Sequence, residues 1–206
     1  MNAVERATLA AEARRFLEAE FAPADTRALF DDPLGYREQA WRKMCELGWL
    51  GASVDLGSAA LAALAYEAGR VLLPGPFLPT AALAVPLLSA ANDPLLPRVL
   101  SGESIIAVAD GDDPVPDAAA SDHIVVLAPQ DPIVIQTKTA AVEPLEWMDL
   151  ARRVARVRTD GAPVVTTLHG AGVGRALDMA RVAIAAESLG AAERAREIAT
   201  AYAKER

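Results

Sequence analysis

Apolar positions recur with a helical period over the first hundred residues and with a strand-like period over the next seventy. Leu9, Ala13, Phe16 and Leu17 stand at i, i+4, i+7 and i+8, one stripe on a helix predicted over roughly residues 3–20. After a Pro-Ala-Asp break, Asp32 is placed to cap a second helix with Pro33 at its first position, where the missing N–H costs nothing. Tyr36, Ala40, Met44 and Leu47 form that helix's apolar face, Gly48 is its left-handed stop, and Trp49 turns the chain back. A third stripe, Leu61, Leu64, Ala65, Ala68 and Leu72, ends at Pro74-Gly75-Pro76, which no helix continues through. Thr80 and Asp93-Pro94 open two short helices, with Pro86 kinking the first and Gly102 closing the second.

Around Ser101-Gly102-Glu103 the period becomes extended. Ile105 to Ala109, His123 to Leu127, Pro132 to Gln136, Arg153 to Val157 and Val164 to Leu168 are short Val/Ile-rich runs between Asp, Pro and Gly clusters, and predict a small antiparallel β-domain. Asp110 to Asp122 is predicted as a mobile loop. From Ala171 to Arg206 nothing interrupts a helical composition, and Leu177, Ile184, Ala191 and Ile198 recur every seven residues. At ~1.5 Å per residue this helix runs on the order of 50 Å, too long for a small β-domain alone to cover, so it needs further helices. It reaches Arg206 without a Gly or Asn stop, which leads to the expectation that the C-terminus is truncated or completed by another chain. The fold expected is therefore α+β and mainly helical: an N-terminal helical domain over 1–102, a small β-domain over 103–169, and over 170–206 one long helix that opens an incomplete C-terminal helical domain.

Charge and composition narrow the function. Lys plus Arg number 20 against 28 Asp plus Glu in 206 residues, so no basic footprint for nucleic acid exists. A lone cysteine, Cys45, forms no internal disulfide, and His123 and His169 are too few for a His-rich metal site; a reducing, cytoplasmic setting is expected. The N-terminus is charged throughout, and no segment approaches the ~20 apolar residues of a membrane helix.

Most single motifs have a plain structural reading. Gly170-Ala171-Gly172-Val173-Gly174 follows a strand and precedes a helix, like a dinucleotide-binding turn, but the third small position is Arg175 and no second strand follows, so an interdomain hinge is preferred. Asp110, Asp112 and Asp113 lack the spacing of a calcium loop and read as a solvated turn. His123 and His169 sit at strand ends with no nucleophile elbow beside them, and Cys45 reads as a small, partly buried side chain.

Six segments rise above this background. Trp41 to Gly51, Tyr66-Glu-Ala-Gly-Arg70 and Leu72-Leu-Pro-Gly-Pro-Phe-Leu-Pro79 resemble the N-terminal helical domain of the acyl-CoA dehydrogenase family. Asp178-Met-Ala-Arg181, Ala185-Ala-Glu-Ser-Leu-Gly190-Ala-Ala-Glu-Arg and Tyr202-Ala-Lys-Glu-Arg206 look like the first C-terminal helix of that family, with the family's spacing of 25 residues from Arg181 to Arg206.

The resemblance implies an FAD-dependent oxidoreductase of lipid metabolism, in fatty acid or sterol degradation, that removes an α-proton and a β-hydride from an acyl-CoA thioester. It implies substrate contacts at Asp178, Met179, Ala180 and Arg181, and an Arg206 guanidinium reaching the FAD pyrophosphate across a dimer interface. Without the resemblance, Asp178 and Arg181 are an ordinary i,i+3 ion pair and Arg206 an ordinary terminal cation. The sequence also departs from the pattern. The flavin-covering threonine and Gly-Ser are absent around Val108-Ala109-Asp110-Gly111, and the β-region is short. Most of the family carries the catalytic base in C-terminal helices that residues 1–206 do not include, and the position before Arg181, where a minority carries it, is Ala180, so no catalytic residue is assigned. Such losses resemble the degenerate subunits of heteromeric acyl-CoA dehydrogenases, and imply a homo- or hetero-oligomer with dehydrogenase subunits. The alternative is a non-catalytic assembly subunit that completes a partner through the exposed stripe Leu177, Ile184, Ile198.

Overall fold

The computed structural model describes residues 1–206. Helix α1 (Ala3–Glu20) starts at a reciprocal cap: Glu5 N–H donates to the Asn2 side chain at 2.9 Å and Asn2 N–H to the Glu5 carboxylate at 2.8 Å. A short α2 (Pro23–Ala28) occupies the expected break, with Pro23 in its first turn. Asp32 does not cap the next helix. Its Oδ1 accepts from the N–H groups of Leu34 and Gly35 at 2.8 and 3.1 Å, an Asx turn that outcompetes helix initiation, and α3 (Glu38–Glu46) begins later. Ala40 and Met44 are buried on α3, whereas Leu47 lies past its end and is exposed. Gly48, at φ 73°, stops the helix as its position predicts.

A 3₁₀ turn over Trp49–Gly51 and α4 (Ala52–Asp55) lead into α5 (Ser58–Arg70), whose Leu61, Leu64, Ala65 and Ala68 are buried. Helix α6 (Phe77–Pro79), a π turn (Thr80–Ala84) and α7 (Val85–Ala90) form one continuous stretch, so Thr80 lies inside a helix rather than at its start. The irregularity expected at Pro86 takes the form of that π turn just before it. Asp93 accepts the Leu95 N–H at 2.9 Å ahead of α8 (Leu96–Leu100), which Gly102 closes at φ 77°.

Seven strands follow: β1 (Ile106–Ala109), β2 (Val115–Pro116), β3 (His123–Val126), β4 (Ile133–Gln136), β5 (Ala141–Leu145), β6 (Val154–Arg158) and β7 (Val164–Thr167). They make two sheets, ordered β1-β3-β4-β7 and β2-β6-β5. All pairings are antiparallel except β1 with β3, which run parallel with Ile106 opposite His123. The segment expected to be a mobile loop makes that crossover and is built into the fold: Val115 and Ala118 are buried, and β2 pairs with β6. A small core of Ala107, Val115, Ile124, Ile135 and Ala155 fills the space between the sheets, while Val108, Val125 and Val134 face the main helical core.

Helix α9 (Val173–Glu205) packs on α5, and of the residues that the seven-residue period marks, Leu177 is partly buried against the main core. Val173, Ala176, Ala180, Ala183 and Gly190 are buried, whereas Ile184 and Ile198 are exposed. The two helices touch backbone to backbone: a Cβ at Gly69 would strike the Glu187 carbonyl, and one at Gly190 the Tyr66 carbonyl. At that separation only small side chains fit, which excludes Leu and Ile from the seam. Buried charge reinforces the seam. Glu67 accepts a two-pronged pair from Arg14 of α1 at 2.9 and 2.8 Å, and Arg70 donates a second such pair to Glu197 of α9 at 2.9 and 2.8 Å. No helix is long and apolar enough to cross a membrane.

Candidate functional site

Helix α9 carries every residue expected at a site. At its N-terminal end, Arg181 donates to Asp178 Oδ1 at 2.6 Å, with both side chains more than two-thirds exposed. The helical spacing i,i+3 enforces this pair, and solvent exposure leaves both groups open to a further partner. Met179, half-buried, lines a groove of about 210 Å³ together with Ser53, Val54, Pro86 and Ser89. Ala180 is turned the other way, its methyl buried against the core. The turn Asp178 to Arg181 is thus split between an outward ion pair, a groove-lining thioether and a packing alanine.

Arg206 lies at the far end of α9, where its guanidinium stacks over the Tyr202 ring at 5.0 Å and pairs with no carboxylate. Twenty-five residues from Arg181 to Arg206 make roughly seven turns and about 37 Å, which returns Arg206 to the same side of the helix but far along it. The two ends therefore cannot grip one small group. Between them this side presents Ala185, Ser188, Ala192, Ala195, Ala199 and Tyr202, all exposed.

The remaining candidates settle into structural roles. The Ser104 hydroxyl and His123 Nδ1 lie 2.9 Å apart, both buried, and burial holds the imidazole pKa down. His169 stands 3.3 Å from Asp131 at the surface. Cys45 is buried, its thiol pushed up to about 11 by desolvation. Asp110, Asp112 and Asp113 are exposed, and no three His, Cys, Asp or Glu side chains converge with the spacing of metal ligands. Strand β7 is an antiparallel edge strand, so Gly170 to Gly174 does not belong to a βαβ dinucleotide unit.

Sequence reasoning missed the charged ties between elements. Arg152 donates to Glu187 at 2.6 Å, linking the loop before β6 to α9, and Arg153 donates to the carbonyls of Leu29, Phe30 and Asp32. Asp117 lies nearby, buried, and desolvation pushes its carboxyl up to about 7. For Glu67 and Arg70 a signal existed: they are the two charges, at i,i+3, on a helix otherwise uncharged and mostly Ala and Leu.

The architecture is that of a protein with a helical N-terminal part, two small sheets and a returning helix. Residues 4–103 match the family model of the acyl-CoA dehydrogenase N-terminal domain. The acyl-CoA dehydrogenase IpdE2 of Mycolicibacterium smegmatis is 31% identical over 98% of this chain, which spans 65% of that relative's length. A variant of the Tcur3481-Tcur3483 steroid ACAD superposes with a TM-score of 0.84 at 26% identity, over 98% of this chain and 67% of that one. An acyl-CoA dehydrogenase from Bacillus anthracis complexed with FAD shares the fold at a TM-score of 0.75 and 17% identity, over 100% of this chain and 45% of that one. The chain belongs to the acyl-CoA dehydrogenase family.

Proposed function

We propose that this chain is an FAD-linked acyl-CoA dehydrogenase component that has no catalytic base among residues 1–206 and completes the flavin and substrate sites of a partner dehydrogenase subunit. The observation that carries this reading is one exposed side of α9 with a polar substrate-type pair at one end and a free guanidinium roughly 37 Å away at the other. Asp178 accepts a hydrogen bond from the polar part of an acyl-CoA, Arg181 supplies the adjacent cation, and Met179 offers an apolar wall. Ala180 seats the turn by packing. Arg206 fits the pyrophosphate of FAD, since its planar fork, stacked on Tyr202 but paired with no carboxylate, suits phosphate oxygens. Bound FAD supplies the hydride acceptor. At the end of β1, Ala109 is buried and offers no hydroxyl, so this chain covers the flavin ring less fully than the family pattern.

Proton abstraction needs a carboxylate beside the thioester α-carbon, and the methyl of Ala180 cannot provide it. The Tcur3481-Tcur3483 steroid ACAD, whose name joins two components, supports a reading in which this chain works beside another dehydrogenase subunit. A second reading, a purely assembling subunit, draws on Val182, Ile184, Leu189 and Ile198, apolar and about half exposed or more on α9. Co-expression with a base-bearing dehydrogenase subunit separates the two. A yellow complex whose flavin is lost when Arg206→Gln is introduced supports the first. A complex that retains its full flavin content in that variant supports the second.

A further inference from the structure

A cleft of about 730 Å³ opens between the end of α1, α2, the last turn of α5 and the second half of α9, away from the Asp178 turn. Its size falls in the range of small-molecule sites, and its walls are apolar: Phe21 and Phe30 on one side, Ile198 on the other. Leu72 stands at its edge in the left-handed region (φ 51°), a conformation costly for a leucine, and the side chain remains more than half exposed.

Two polar atoms of lining residues have no hydrogen-bond partner although buried. Thr26 Oγ1 has none at all, and Arg70 Nε lies 3.6 Å from Glu67, beyond hydrogen-bond reach. Of the charged lining residues three are arginines and only Glu18 is acidic. Arg70 and Arg194 are both paired to Glu197, which leaves Arg27 as the cation without a carboxylate partner.

We propose that this cleft binds an apolar carboxylate, with its body against Phe21, Phe30, Leu72 and Ile198 and its head group on Arg27. Such a site is independent of the flavin and of the acyl-CoA reading. An apolar body explains the exposed Leu72 and Ile198, and the anion answers the unpaired Arg27 guanidinium. Chain and fused-ring acids share this chemistry.

The test is calorimetric titration of the 206-residue protein with dodecanoate, deoxycholate and the uncharged dodecanol. One saturable site per chain is expected for at least one of the acids, and which acid it is separates a chain from a ring. Arg27→Gln should weaken that acid about tenfold, as expected for loss of a charge-assisted hydrogen bond, and leave dodecanol unchanged. Ala195 lines the cleft but is exposed, so Ala195→Phe should fill the space without unfolding the protein and abolish binding. Absence of saturable binding by either acid, binding that survives Ala195→Phe, or an affinity indifferent to Arg27→Gln overturns the proposal.

Discussion

Asp117 combines a left-handed backbone (φ 56°) with a buried carboxyl whose Oδ1 has no partner. Burial raises its pKa from 3.8 to about 7, so between those values the folded chain holds a proton that the unfolded chain has released. Stability therefore falls as pH rises through that window. Asparagine tolerates the left-handed conformation and carries no charge, so Asp117→Asn should flatten the fall and stabilise the protein above pH 7 by on the order of 1–3 kcal/mol, read from urea midpoints against pH. The opposite sign applies to Glu197, whose carboxyl the Arg70 and Arg194 guanidinium groups hold down at about 2. Its contribution is present above the ordinary carboxylate value of 4.5 and is lost as pH falls toward 2. Glu197→Gln should remove that part of the acid-side slope. At the proposed flavin contact, Arg206→Gln should weaken FAD binding about tenfold or more, measured by flavin release from the assembled complex.

Elements meet in this molecule through small residues and paired charge rather than through large apolar side chains. Gly190→Ala, conservative by helix propensity, should cost about 1–3 kcal/mol because its methyl meets the Tyr66 carbonyl; a thermal melt unchanged from the parent protein would contradict the packing described. Glu67→Ala should cost about 3–5 kcal/mol, since it leaves the buried Arg70 without one of its two carboxylates and Arg14 without its partner. The chain pattern is silent about this seam. The period of Leu177, Ile184 and Ile198 marks a stripe of which Ile184 and Ile198 are exposed as expected, whereas close backbone approach selects Ala and Gly for the face against α5. Local signals served better elsewhere. The start and end of α1, the Gly48 and Gly102 stops and five strands are legible because cap chemistry, φ freedom and β-branching act over a few residues. Strand β5 escapes notice because Glu143 and Pro144 are exposed on a sheet edge and carry no apolar alternation. The parallel β1–β3 pair depends on a crossover, which no local pattern encodes.

At the scale of the whole molecule, α9 is covered on one side by α5 and open on the other, and the expected site residues are distributed along it. The pair Asp178–Arg181 was legible from spacing alone, whereas its separation from the burial of Ala180 needed the helix to be placed on its neighbour. In the proposed function, binding falls to this chain and proton abstraction to a partner. Anaerobic titration with an acyl-CoA tests that division most directly, by following the visible absorbance of FAD on this chain alone and in complex with a base-bearing dehydrogenase subunit. The account predicts bleaching of the flavin in the complex and none with the chain alone. Bleaching by the chain alone, or a flavin-loaded complex that no acyl-CoA reduces, would contradict it.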